Sequence, residues 1–372
     1  MKLFKSLLVA PATIGLLAPF SAFANEANLT DISKYSNIEH LDLANAFVND
    51  ESNNNPLLAG GEGLVESDSF DGGFSETTTA SFSVDTVLGA IDGASSETTS
   101  LDFQFNIGLS TSFTGEDSLD IAIDNGTDSP SIMSSGIMGF DSGKNLVVDG
   151  VTYSFPVGGA SMVVGDSTDL STAFTGACTY SAFTDLTPDD CGTGNSMGAG
   201  GKGVTAAMSY AFDSGFSLAG GVTSGNSEIL GDAADAFGLN AAYSADSYGL
   251  AVAYVSDDGG TATDTTYWGL NGYYTFDLAS FSAGFETSDD GTTEKSGYFV
   301  GLSFPEVGPG TANIAAATTG LFADSETETL VYEASYSYAL NDGMTITPGI
   351  FIKEVDGADD QTGVAVKTSF SF

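Results

Sequence analysis

From about residue 74 the chain alternates apolar and polar residues in short runs separated by Gly, Asp, Asn and Ser. In LDFQFNIGLS, the residues Leu101, Phe103, Phe105, Ile107 and Leu109 share one face, and Asp102, Gln104, Asn106 and Gly108 the other. MTITPGIFIK sets Met344, Ile346, Pro348, Ile350 and Ile352 against Thr345, Thr347, Gly349, Phe351 and Lys353. A period of two is the signature of half-buried β-strands. About sixteen such segments are predicted, beginning near residues 76, 99, 117, 146, 159, 204, 216, 236, 248, 265, 278, 295, 311, 329, 343 and 362. NLVVDGVTYSF has a second reading, a hairpin turning at Asp149-Gly150.

The gaps between segments sort by parity. Even-numbered gaps are tight (GED, PVGG, DSG, ADS, DLA, NDG), with PEVGPG the longest of the set. Odd-numbered gaps include the long ones: 125–145, 166–203, 225–235, 257–264 and 354–361. An up-and-down barrel with one tight rim and one long-looped rim has this order, whereas a sandwich has no reason for it. A barrel of this size is too wide for side chains to fill, so its polar face borders water and its apolar face meets lipid. The predicted fold is therefore an all-β, transmembrane, up-and-down antiparallel β-barrel over residues 74–372. Aromatic residues gather near segment ends (Tyr210, Phe212, Phe216, Tyr248, Tyr254, Phe276, Tyr338), where membrane girdles lie. The last segment places Val364, Val366, Phe370 and Phe372 outward, and Gly363, Ala365, Lys367, Ser369 and Ser371 inward. Such a strand closes the ladder against the first and needs no solvated tail.

Residues 1–24 read as a secretory signal peptide: Lys2 and Lys5, an apolar run, then Ala22-Phe23-Ala24. A membrane-anchoring helix is the alternative, but the run is short and broken by Pro11 and Pro19. Residues 25–73 read as a short periplasmic segment and linker carrying the single histidine, His40.

Composition narrows the function. The formal net charge is −42, and reading along the chain finds no arginine, which excludes nucleic-acid partners. With 42% hydrophobic residues and 26 Phe, the chain is not a disordered acidic polymer. The two cysteines, Cys178 and Cys191, allow one disulfide in an exported protein, with two free thiols as the alternative. Such a bridge contributes on the order of 3 kcal/mol. No nucleophile–base pair accompanies the lone His40, so an enzyme is disfavoured. No cofactor or metal site is read from the residues. The acidic stretches 256–264, 288–294 and 356–361 lack the spacing of a calcium loop and read as solvated.

By strand parity the lumen-facing, pore-lining acids are Asp85, Asp102, Asp120, Asp124, Glu286 and Glu333, and the lumen-facing lysines are Lys295, Lys353 and Lys367. The balance predicts a water-filled channel for small hydrophilic solutes and ions, with a modest cation preference. A solute-specific channel and a non-conducting structural or adhesive surface protein are the alternatives.

Several stretches carry a resemblance: LSTSFTGED (109–117), YSFPVGG (153–159), CTYSAFTDLTPDDCGTGN (178–195) and the opening MKLFKSLLVAPATIGLLAP. They resemble the porins of cyanobacterial outer membranes, a branch of the carbohydrate-selective porin family. The resemblance implies a bacterial outer-membrane location, contact with outer-membrane lipid, a homotrimer, and a C-terminal Phe372 read by the barrel-assembly machinery. It also implies that the loop 166–203 folds into the lumen as the constriction. The acids Asp166, Asp169, Asp185, Asp189 and Asp190 would then border the aperture, stiffened by Cys178–Cys191. Two features depart from the family. Residues 25–73 are too few for its surface-layer-homology domain, and EDSLDIAID stands where relatives tend to be rich in arginine.

Overall fold

The computed structural model describes residues 77–94, 97–198, 201–225, 235–259 and 263–372. The expected signal peptide, the segment 25–73 and His40 lie outside the described residues.

The chain closes into one antiparallel barrel. Its strands are β1 (Thr78–Asp92), β2 (Ser100–Thr111), β3 (Ser118–Gly126), β4 (Val147–Val157), β5 (Ala160–Thr168) and β6 (Gly203–Ala211). β7 (Phe216–Ser224), β8 (Asp235–Ser244), β9 (Tyr248–Asp257), β10 (Thr265–Thr275), β11 (Ser280–Asp289) and β12 (Glu294–Val307) follow. β13 (Gly310–Thr318), the two-residue β14 (Phe322–Ala323), β15 (Leu330–Asn341), β16 (Met344–Lys353) and β17 (Gln361–Ser371) complete it. Setting β14 aside from the 17 strands of the sheet leaves sixteen staves. Each pairs with its sequence neighbours, and β17 pairs with β1. Phe82 and Phe372 exchange N–H···O bonds of 3.0 Å in both directions and stack their rings 5.8 Å apart. No helix among the described residues is long and apolar enough to cross a membrane.

The staves begin within two residues of the positions expected from alternation. Rim parity also holds, with tight turns such as 158–159 and 342–343 against connections such as 127–146 and 169–202. PEVGPG is not the long exception, because β12 runs through Val307 and turns at 308–309.

NLVVDGVTYSF is one strand, not a hairpin. Ala122 of β3 faces Gly150 and Ile123 faces Val148, so Asp149 is the extra residue of a β-bulge. Unbulged alternation would place Asp149 on the outward face with Val151. The bulge re-aims it inward, where it lines cavities with Asp120 and Asp124.

The apolar face points away from the barrel axis. Leu101 is 69% exposed, Leu239 64% and Ile350 52%, whereas their inward neighbours Asp102, Asn240 and Phe351 are buried. At the tight-turn rim, Tyr210 packs on Phe212, Phe216 on Tyr243, and Tyr274 on Phe276, as an aromatic girdle does. Trp268 meets Tyr254 toward the other rim.

The turn 112–117 shows how a tight rim is held. One Asp117 oxygen accepts from Ser112 Oγ (2.8 Å), Phe113 N (2.9 Å), Thr114 N (2.7 Å) and Thr114 Oγ1 (2.8 Å). The other accepts from Tyr153 OH at 2.7 Å, tying the turn to β4. Burial alone would raise the Asp117 carboxyl, but the donors led by Tyr153 outweigh it and hold the group well below the usual carboxylate range. Its contribution is therefore complete above the ordinary carboxylate range and is lost as pH falls through the lowered folded value. Asp117→Asn should cost about 2 kcal/mol at neutral pH, read by urea unfolding in detergent. The gap to the parent should close only in strong acid.

Candidate functional site: the lumen and its inward loops

The long connection between β5 and β6, over its residues 169–198, lies against the inner wall from β8 round to β16. The wall offers side chains and the loop offers backbone. Asn240 accepts from Thr175 N at 2.9 Å, Asn271 from Ala177 N at 2.8 Å, and Ser282 Oγ from Thr179 N at 3.1 Å. Asn271 also donates to Asp190 O (2.9 Å) and Thr193 Oγ1 (2.7 Å). The loop's orphan peptide groups are thereby satisfied away from water.

Two buried carboxylates carry the rest. Glu286, 0% exposed as a residue within Ser280–Asp289, accepts from Asn195 Nδ2 at 2.7 Å and Ser196 N at 2.5 Å. Glu333 accepts from Tyr180 OH (2.9 Å), Phe183 N (2.8 Å), Thr184 N (3.0 Å) and Thr184 Oγ1 (2.7 Å).

Inward glycines let the loop lie close. A Cβ at Gly284 would stand 1.8 Å from Cys191 O, and one at Gly349 would stand 2.5 Å from the Phe183 ring. Cys178 and Cys191 are joined, with Cα atoms 5.7 Å apart. Asp190, Cys191 and Gly192 all have positive φ, so the bridge sits at a left-handed turn that costs an L-residue roughly 1–2 kcal/mol per position.

A second connection, 127–146, also turns inward. Its short helix α1 (Ile132–Ile137) is capped by Ser131, whose hydroxyl donates to Asp102 at 2.6 Å. Met133 and Ile137 pack with Val87, Ile91, Phe351 and Phe183. The two loops meet where Asp185 N donates to Ile137 O at 2.7 Å.

These contacts correct part of the expected pore lining. Asp102, Glu286 and Glu333 do point inward, but they are buried beneath the loops and serve as their anchors. Strand parity gives a side chain's face but not what covers that face. Asp166 belongs to the end of β5, opposite Val151, and not to the loop.

The remaining acids lie on uncovered wall. Asp120 shares a cavity with Asp149, Asp169 and Lys202, and Asp124 shares the adjoining one with Asn106, Asp141 and Asp149. Asp85 lies on the same wall, accepting from Gln104 Nε2 at 3.3 Å and from Ser369 Oγ. Lys202 donates to Asp149 at 2.7 Å. That hydrogen bond, with Asp141 and Asp124 nearby, raises the lysine and keeps it charged. Asp185 and Asp189 have solvent-facing surface on the loop, although the Asp185 carboxyl is partly desolvated. Burial, then Asp189, pushes the Asp185 carboxyl up, and burial, then Asp189 and Asp169, does the same to Asp190. Lys295 reaches Glu326 at 3.5 Å and lines a long-rim cavity with Lys353. Lys367 stands in register with Val87 and Thr347. Asp149, Asp141 and the inward course of 127–146 were not anticipated. A bulge hides the first, and no alternation marks the others.

No protein-family model matches the sequence, and no curated protein matches it. Solved porin structures share the fold. A mutant of the Rh. blastica porin superposes with a TM-score of 0.53 at 15% identity, covering 79% of this chain and all (100%) of that one. An anion-selective porin from Comamonas acidovorans gives 0.57 at 15% identity, covering 80% and 99%. At these identities the likeness is one of fold: the closed sixteen-stave barrel is a bacterial porin architecture.

Asn271→Ala would strip three hydrogen bonds from buried loop groups. It should weaken docking of 175–195 by about 1–3 kcal/mol, read as faster protease cleavage inside that segment with the barrel still folded.

Proposed function

We propose that the chain is a bacterial outer-membrane porin, a passive channel for small hydrophilic solutes and ions. The observation that carries this reading is a closed ladder with most of its large apolar side chains outward and, inside, an open polar stretch of β1–β5 beside the part that 127–146 covers. Such a body lowers the cost of moving a hydrated solute across hydrocarbon by offering water in place of lipid. The loop 169–202 is its constriction, narrowed further by 127–146. The carbohydrate-selective, cyanobacterial branch suggested by the sequence stretches, the signal-directed export, the homotrimer and recognition of Phe372 by the assembly machinery belong to the same proposal. No reaction is assigned.

The fold alone does not set ion preference, since one similar structure is described as anion-selective. We assign this chain a cation preference. Asp85, Asp120, Asp124, Asp149, Asp185 and Asp189 face the open space or the loop surface, and the sequence has no arginine to oppose them. The contact between the two inward loops favours a second reading, a barrel blocked in the middle and structural in role.

Single-channel recording in a KCl gradient separates the two readings. We expect steps of current and a reversal potential of cation-selective sign, weakening as salt shortens the screening length from about 10 Å at 0.1 M to about 3 Å at 1 M. Asp120→Asn with Asp124→Asn should move the reversal potential toward zero. Because the Asp185 carboxyl is raised, acidification should begin to erode cation preference at a pH above the ordinary carboxylate range. A silent bilayer would favour the blocked barrel. Replacing Cys178 and Cys191 with Ser should raise open-channel noise, and unchanged noise would mean that the bridge does not shape the aperture.

A further inference from the structure

Among the described residues, Lys202 is the one cation that lines either open cavity of the β1–β5 wall. The two cavities, about 440 and 390 Å³, share Asp149. Asp120 and Asp169 line the first with it, Asp124 and Asp141 the second. Five carboxylates therefore share one ammonium, which is bonded to Asp149 at 2.7 Å.

Irregular backbone places both partners of that bond. The β4 bulge brings Asp149 inward. On the Lys202 side, the β5–β6 register slips between Gly165 and Thr168, and Ser167 lies in the left-handed region at φ 56°. Strain of this kind in a non-glycine residue persists only where its surroundings hold it, and it clusters at functional sites. Stability is a poor account of the pair. Its side chains are 57% and 42% exposed, and an exposed ion pair contributes little to folding.

We propose that Lys202 is a specificity-determining residue, a built-in counterion that keeps the acidic wall from retaining hydrated divalent cations. This deepens the cation-channel reading and rests on it. A set of carboxylates attracts a divalent ion about twice as strongly as a monovalent one at the same distance, because Coulomb energy scales with charge. A channel needs sites weak enough to release what enters. The tethered ammonium sets a fixed positive charge among the acids, and it cannot diffuse away as a bound ion can. Asp149, Asp141 and Asp124 all favour its charged form. No group of three or more ligating side chains among the described residues could hold a metal ion directly. What the wall without Lys202 would retain is thus an ion with its water shell, held by field and not by ligation.

The test titrates Mn²⁺ into the refolded full chain in detergent and follows the loss of the free-ion EPR signal. The buffer holds about 0.1 M KCl, where charges beyond about 10 Å are screened. Lys144 supplies the control: it also pairs with an aspartate, Asp128 at 3.2 Å, but lines neither cavity. Lys202→Gln should gain one equivalent of Mn²⁺ at a concentration about tenfold below that needed in the parent. Lys144→Gln, with the same change in net charge, should stay within about twofold of the parent. Lys202→Arg keeps the charge and should bind as the parent does. Adding Asp149→Asn to Lys202→Gln should remove the extra equivalent. Tighter binding in Lys202→Gln and Lys144→Gln alike, in neither, or in Lys202→Arg would overturn the proposal. In bilayers, Mg²⁺ should block the K⁺ current of Lys202→Gln at concentrations that leave the parent conducting, and equal block would overturn it too. The Mn²⁺ difference needs no conductance. Found without current in any variant, it would count against the porin reading and leave the counterion standing.

Discussion

Backbone pairing is the constraint from which the other features follow. Inside hydrocarbon each unpaired N–H or C=O costs several kcal/mol, so a β-structure crossing it must have no edge. The β17–β1 seam, with Phe82 and Phe372 exchanging hydrogen bonds, removes the edge here. Once the ladder closes, each stave has one inward and one outward face, and alternation decides what each face meets. Most strand leucines and phenylalanines and Trp268 go out, while Ser, Thr, Asn, Asp and Glu, with Phe299 and Phe351, go in.

The interior then meets the same constraint a second time. A loop laid inside the barrel brings its own peptide groups, and water is displaced where it touches the wall. Asn240, Asn271, Ser282, Glu286 and Glu333 replace that water one hydrogen bond at a time. The wall divides into two regions as a result. From β8 to β16 it docks the loop, while the part of β1–β5 that 127–146 leaves uncovered stays open and acidic. Asp117 repeats the logic at the tight-turn rim, where one carboxylate gathers the donors of a whole turn.

The barrel was readable in the sequence because its period of two repeats on every stave, as in Leu101–Leu109 and Met344–Ile352, and because tight turns declare themselves by composition. Inward and outward faces followed from the same count. What failed to show was anything set by contacts distant in the chain. Asp102, Glu286 and Glu333 have the parity of pore-lining acids, and no local feature tells them from Asp120 or Asp124, which stay open. Asp102 is covered by 127–146, whose Ser131 lies 29 residues on, and the loop that covers the other two lies 90 or more residues from Glu286 and about 150 from Glu333. The β4 bulge shifts parity by one, so Asp149 escapes an alternation count. Phe299 and Phe351 were similarly opaque: inward aromatics make sense only once Tyr180 and Phe183 are known to rest on them.

The orientation of the two faces is most directly tested on Trp268, the single tryptophan of the chain, 55% exposed on the outward face. Its fluorescence should be blue-shifted in bilayers, strongly quenched by bromine atoms carried on lipid acyl chains, and nearly untouched by aqueous iodide. Quenching by iodide with no response to brominated lipid would place that face in water and contradict the barrel's assignment as a membrane-spanning channel.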